Sequence, residues 1–233
     1  MTAISRKLKR PVDDVVATAL GAAHRDDPVE PGTGGPAGNA ELTAWLGLVL
    51  LVAFAVEGFT LLSVRGMISL HIFLGAALIP LVVVKTATTG WRIARYYLGS
   101  PAYRQAGPPP LLLRILGPLV VVTGLAVVGS GLALSFLGAA SYDPLVHFAG
   151  ISLDALTLHK ASFIAWFVVT TAHVLTRALP ALQLAGRRRQ VPGLRRRAGV
   201  LVVVLGAGAA MGFLGLAVSG AWTGSSAWAG AGR

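Results

Sequence analysis

Five long apolar runs dominate the chain, at residues 42–64, 68–89, 111–137, 156–179 and 198–219. Crossing the hydrocarbon core of a bilayer as a helix takes about 20 predominantly apolar residues, and each run is close to or above that length. Lipid offers no hydrogen-bonding partner, so a single spanning segment has to close its own backbone bonds as a helix. The composition agrees, with 55% hydrophobic and only 12% charged residues in 233. The sequence therefore predicts an all-α membrane protein of five transmembrane helices, with the lipid bilayer as its first partner.

A net charge of +11 would suit a nucleic-acid binder if it were spread over a soluble surface. Its placement argues otherwise. Sixteen of the 20 Lys and Arg residues fall on one side: before the first run, between runs two and three and runs four and five, or, as Arg114 and Arg177 do, at the ends of runs three and four facing that side. Only Arg65, Lys160 and Arg233 fall on the other side, while Lys85 lies inside the second run. By the positive-inside rule the N-terminus is cytoplasmic and the C-terminus extracytoplasmic. Nucleic-acid binding is not expected. The chain has no cysteine, which excludes disulfides, covalent c-type haem and cysteine-ligated iron–sulfur clusters. A metal would have to be held by histidine or oxygen.

The segments between runs divide the chain. Residues 1–41 read as a cytoplasmic leader: a short amphipathic stretch, "ISRKLKRPVDDVVATALGAA", then a flexible linker, "DDPVEPGTGGPAGNAE". Residues 42–180 hold four spans, 181–197 a basic cytoplasmic loop, 198–220 the fifth span, and 221–233 a small, mobile extracytoplasmic tail. The triple proline Pro108–Pro110 should stop any helix ahead of span three. Span five carries no ionisable interior residue and reads as a peripheral addition, with Gly208 and Gly212 spaced for helix packing. No soluble catalytic module is visible.

Ionisable residues inside the spans carry the functional signal, because they are costly in lipid. His71 and Lys85 lie fourteen positions apart on span two, and His159 and His173 repeat that spacing on span four. Fourteen residues bring a helix back to within about 40° of its starting direction, about 21 Å further along. Spans two and four run the same way, so His71 and His159 share the outer depth while Lys85 and His173 share the inner one. Two imidazoles on facing helices at one depth can ligate a haem iron from both sides. Gly117, Gly124, Gly131 and Gly138 recur every seven residues on span three, and Gly75 lies one turn beyond His71, leaving bare surface for a flat cofactor. Arg65 and Lys160 flank the two outer histidines as candidate propionate partners, with snorkelling as the simpler role. Glu57, in span one, is either a proton acceptor beside a haem or quinol site or a hydrogen-bond partner of a neighbouring helix. His147, in the outer loop, reads as solvated or structural.

The paired spacing resembles the cytochrome b architecture of b561-type, ferric-reductase-like and quinol-oxidising membrane cytochromes. "HIFLGAALIPLVVVK", "WRIARYYLGSPAYRQAGPPPLLLRILGP" and "LHKASFIAWFVVTTAHVL" resemble, more narrowly, small bacterial membrane proteins with a cytochrome b-like core. The resemblance covers about residues 42–180 and implies that the first four helices form a cytochrome b-like four-helix bundle in the bacterial cytoplasmic membrane. It further implies haem b held by His71 and His159. His173 matches one ligand of a second haem, but Lys85 stands where the two-haem pattern has histidine. The expected function is electron transfer as a subunit of an oxidoreductase, rather than as a self-sufficient enzyme. Electrons would pass between a separate redox subunit or quinone and the membrane. From another functional class, a haem-free scaffold, assembly factor or transporter subunit is the competing reading. Oligomeric state is not legible.

Overall fold

The structure, a computed structural model, describes residue 16 and residues 27–108, 111–148, 150–186 and 191–224. Helix α1 spans Gly35–Thr60 and ends in a 3-10 turn at Leu61–Ser63; α2 spans Ile68–Tyr97. The short α3, Pro101–Ala106, precedes α4, Leu111–Leu137, and a 3-10 turn at Gly138–Tyr142. An antiparallel hairpin of β1 (Pro144–Phe148) and β2 (Ile151–Asp154) leads into α5, Ala155–Gly186. Helix α6, Leu194–Val218, and the four-residue α7, Gly220–Thr223, complete the described chain. Five of these helices are long and apolar enough to cross a membrane. Val122, Leu125, Val203 and Phe213 are each more than 60% exposed, a surface suited to lipid rather than water.

The chain divides into two compact units, each built from segments of several helices. One comprises the described residues of Met1–Val49, Val83–Pro118 and Thr170–Val202; the other comprises those of Leu50–Val82, Leu119–Val169 and Val203–Arg233.

In the first unit the linker is not a free tether. Helix α1 starts at Gly35, ahead of the expected boundary, because Pro36 suits a first helical turn and Gly34 takes the left-handed turn before it (φ 84°). Asp27 receives two hydrogen bonds from Arg92, at 2.7 and 3.1 Å. Arg197, expected in a loop, lies in the first turn of α6 and is buried. Its guanidinium donates to the carbonyls of Thr33, Pro192 and Val191, lies 3.0 Å from Glu41 Oε2, and sits over the Trp45 ring. Tyr103, on α3, lies beneath the Arg95 guanidinium, and burial pushes its phenol pKa above the usual 10.0. The amphipathic stretch expected within residues 1–25 lies outside the described residues, Val16 apart.

In the second unit α6 packs closely on α2 through the two glycines spaced for it. A Cβ at Gly208 would stand 2.8 Å from the Ala77 carbonyl oxygen, and one at Gly212 would stand 2.6 Å from the Phe73 ring. The two backbones therefore meet through small residues, as helices do in lipid. Phe73 and Phe213 close the contact edge to face, with ring centres 5.2 Å apart. Gly212→Leu is expected to cost about 1–3 kcal/mol through forced overpacking. Gly206→Leu, facing open space, should leave the thermal unfolding midpoint in detergent unchanged. The expected mobile tail is anchored at its start: Trp222 is buried and donates its indole N–H to the Leu134 carbonyl at 2.6 Å. Residues 225–233 lie outside the described residues.

Candidate functional site

His71 sits in the first turn of α2, in the second unit. Its Nδ1 lies 2.8 Å from Glu57 Oε1 and 2.9 Å from Thr60 Oγ1. The Thr60 hydroxyl donates its own hydrogen to the Glu57 carbonyl at 2.6 Å, so its oxygen is left to accept. Two oxygens converging on Nδ1 favour the tautomer that carries its proton there, and in that tautomer Nε2 carries the lone pair. Glu57 and Thr60 lie one helical turn apart near the end of α1, which is how a single imidazole meets both. Glu57 thus meets a neighbouring helix at the candidate ligand, a contact that fits either role the sequence left open to it.

His159 repeats the arrangement with different residues. Its Nδ1 lies 3.0 Å from Ser130 Oγ on α4, and the Ser130 hydroxyl donates to the Ala126 carbonyl at 2.7 Å. Serine is thus placed to accept from an Nδ1–H, the tautomer in which Nε2 carries the lone pair. Gly131 makes the approach possible, since a Cβ there would stand 3.2 Å from His159 Cε1. Gly124, two turns away, faces Trp166, which packs edge to face on Phe54 at 4.8 Å. Gly75 stands opposite the Glu57 carboxylate, where a Cβ would lie 3.7 Å from Oε1. Helix α5 is fixed ahead of His159 by Asp154, which caps it by accepting from the Thr157 N–H at 2.7 Å and the Thr157 hydroxyl at 3.0 Å.

The flanking cations Arg65 and Lys160 are exposed. His147 stays in the hairpin, 2.9 Å from the hydroxyl of the cross-strand residue Ser152, apart from the paired histidines. In the first unit, Lys85 donates to the Thr43 carbonyl at 3.1 Å, and a Cβ at Gly47 would lie 3.3 Å from its Nζ. Thr43 and Asn39 of α1 bond to Thr88 of α2, so the lysine lies beside a polar seam between the two helices. His173 is within electrostatic reach of Lys85, but its buried Nδ1 has no partner. It therefore lacks the support that both other histidines share.

Among the described residues no group of three or more His, Cys, Asp or Glu is placed to hold a bare ion. What the second unit offers is a pair of imidazoles, each set by a hydroxyl of the preceding helix, with His159 and Trp166 packed against glycines of α4; two such imidazoles are a donor set for axial ligation of a haem. No family model, curated protein or solved structure matches this chain.

Sequence reasoning missed Thr60 and Ser130, the residues that orient the rings. Thr60 carried a faint signal, standing one turn from Glu57. Ser130 carried none, because hydroxyls inside apolar helices usually bond back to their own backbone.

Proposed function

We propose that the chain is a membrane-embedded b-type cytochrome that carries electrons through one haem held by His71 and His159. The observation behind this reading is that each imidazole has its Nδ1 within hydrogen-bond distance of a hydroxyl of the preceding helix, an arrangement that would leave both Nε2 atoms for a cofactor. When bound, the haem supplies reversible one-electron chemistry. Glu57 and Thr60 keep the proton on His71 Nδ1 and raise the basicity of Nε2, and Ser130 does the same for His159. Gly131 gives the His159 ring room against α4, while Trp166 and Phe54 line the neighbouring surface with rings. The chain would sit in a bacterial cytoplasmic membrane with its N-terminus inside, serving as the electron-transfer subunit of an oxidoreductase. A separate redox protein or the quinone pool would be its partner.

The test is a reduced-minus-oxidised spectrum of protein purified in detergent after haem-replete expression. A b-type spectrum is expected; a spectrum with no haem bands would refute the proposal in favour of a haem-free role. The orienting residues give a graded version. Glu57→Leu and Ser130→Ala should each weaken haem retention by about 10- to 100-fold, the usual effect of removing a ligand's hydrogen-bond partner. Ser135→Ala, whose hydroxyl bonds only to the Gly131 carbonyl, should leave it unchanged. Rates of haem transfer to apomyoglobin measure this directly.

A further inference from the structure

In the first unit, the inner half of α5 carries two buried polar atoms without partners. They are Thr170 Oγ1 and His173 Nδ1. Three positions apart on a helix, they fall on one face. Buried hydroxyl and imidazole groups are almost always hydrogen-bonded, so two orphans one turn apart mark a place where something polar belongs. The charged neighbours of His173 are Lys85 and Arg177, both positive. Lys85 uses one N–H on the Thr43 carbonyl and, among the described residues, forms no ion pair with a carboxylate. A buried ammonium that has only a neutral partner is costly, and an anion would relieve the cost. The lysine amine donates and the threonine hydroxyl can donate, so an acceptor would satisfy both.

We infer that Lys85, His173 and Thr170 form a binding site for an oxyanion, a carboxylate or phosphate group. The site is separate from the proposed haem ligands, and the inference does not depend on them. Two sources can present such a group: a soluble anion, or the headgroup of an anionic phospholipid. The polar seam of Asn39, Thr43 and Thr88 holds α1 and α2 together beside Lys85, so the amine is positioned before a ligand arrives. The same residues are poorly disposed to hold a second haem. A ligating imidazole is normally fixed by a hydrogen bond from its other nitrogen, which His173 lacks.

The experiment is thermal unfolding of the full chain in neutral detergent. It is titrated with sodium phosphate against sodium chloride of equal ionic strength, and separately with phosphatidylglycerol against phosphatidylcholine. A site filled about 100-fold above its dissociation constant should raise the midpoint by about 5–10 °C. A rise with phosphate identifies a soluble anion, and a rise with phosphatidylglycerol alone identifies a lipid headgroup. Lys85→Met should abolish the rise, Thr170→Val should reduce it, and Lys85→Arg, which keeps the charge, should retain most of it. Should Lys85→Met fail to fold, the Thr170→Val and Lys85→Arg titrations decide the matter. The inference is overturned if neither probe moves the wild-type midpoint, which would leave bound water as the partner. It is also overturned if Lys85→Met and Thr170→Val respond like wild type, or if the purified protein carries a second haem that His173→Ala removes.

Discussion

Replacing His71 with alanine is expected to yield a folded membrane protein without haem. Among the described residues, His71 is the only imidazole placed against Glu57 and Thr60. Its loss should exceed the about 10- to 100-fold effect of removing an orienting partner, because the iron bond itself goes. His159→Ala should do the same from the other face, and the double variant should look like either single one. His147→Ala should keep the full spectrum, since that residue belongs to the hairpin. Circular dichroism of each variant separates loss of haem from loss of fold. Intact haem content in both single variants would refute the ligand assignment.

The second large effect concerns the fold. Arg197→Ala is expected to destabilise the chain by about 3–5 kcal/mol, the range for breaking a buried ion pair by removing one partner. Arg197 fastens the segment before α1 and the turn before α6 through three carbonyls, and it faces Glu41, only 17% exposed at its side chain. Without the guanidinium those acceptors lose their donor and the Glu41 charge is stranded. For a chain of this size the midpoint should fall by about 6–20 °C. Arg197→Lys should recover little, because an ammonium cannot reproduce the planar fork that spans these partners. Pairing the change with Glu41→Gln should recover part of the loss, since no carboxylate is then left uncompensated. A fall of less than about 1 kcal/mol would place Arg197 among ordinary surface charges.

The lipid requirement made the architecture legible. An apolar run that must cross a membrane can only be a helix, and the predicted run at 111–137 matches α4 residue for residue. Helices α2 and α5 extend past their apolar runs, to Tyr97 and Gly186. The helical backbone continues beyond the hydrocarbon, where Trp and Arg suit the boundary. The hairpin was not legible, because strands of five and four residues are too short for alternation to register. Arg197 was hidden among three consecutive arginines, which composition cannot tell apart; only the turn at 191–194 selects one of them for burial. At the candidate site, depth and spacing exposed the charged and imidazole residues. The hydroxyls that fix each ring were silent, since their role depends on which helices become neighbours. Lys85 was conspicuous from the start, and Thr43 and Thr170 became meaningful only once the bond of the one and the unpartnered hydroxyl of the other could be seen.

The most direct test of the central claim is the haem-to-protein ratio by pyridine haemochrome on chain purified after haem-replete expression. One b-type haem per chain, lost in both His71→Ala and His159→Ala, is the predicted result. A ratio of zero, or a haem that survives in both variants, would contradict it.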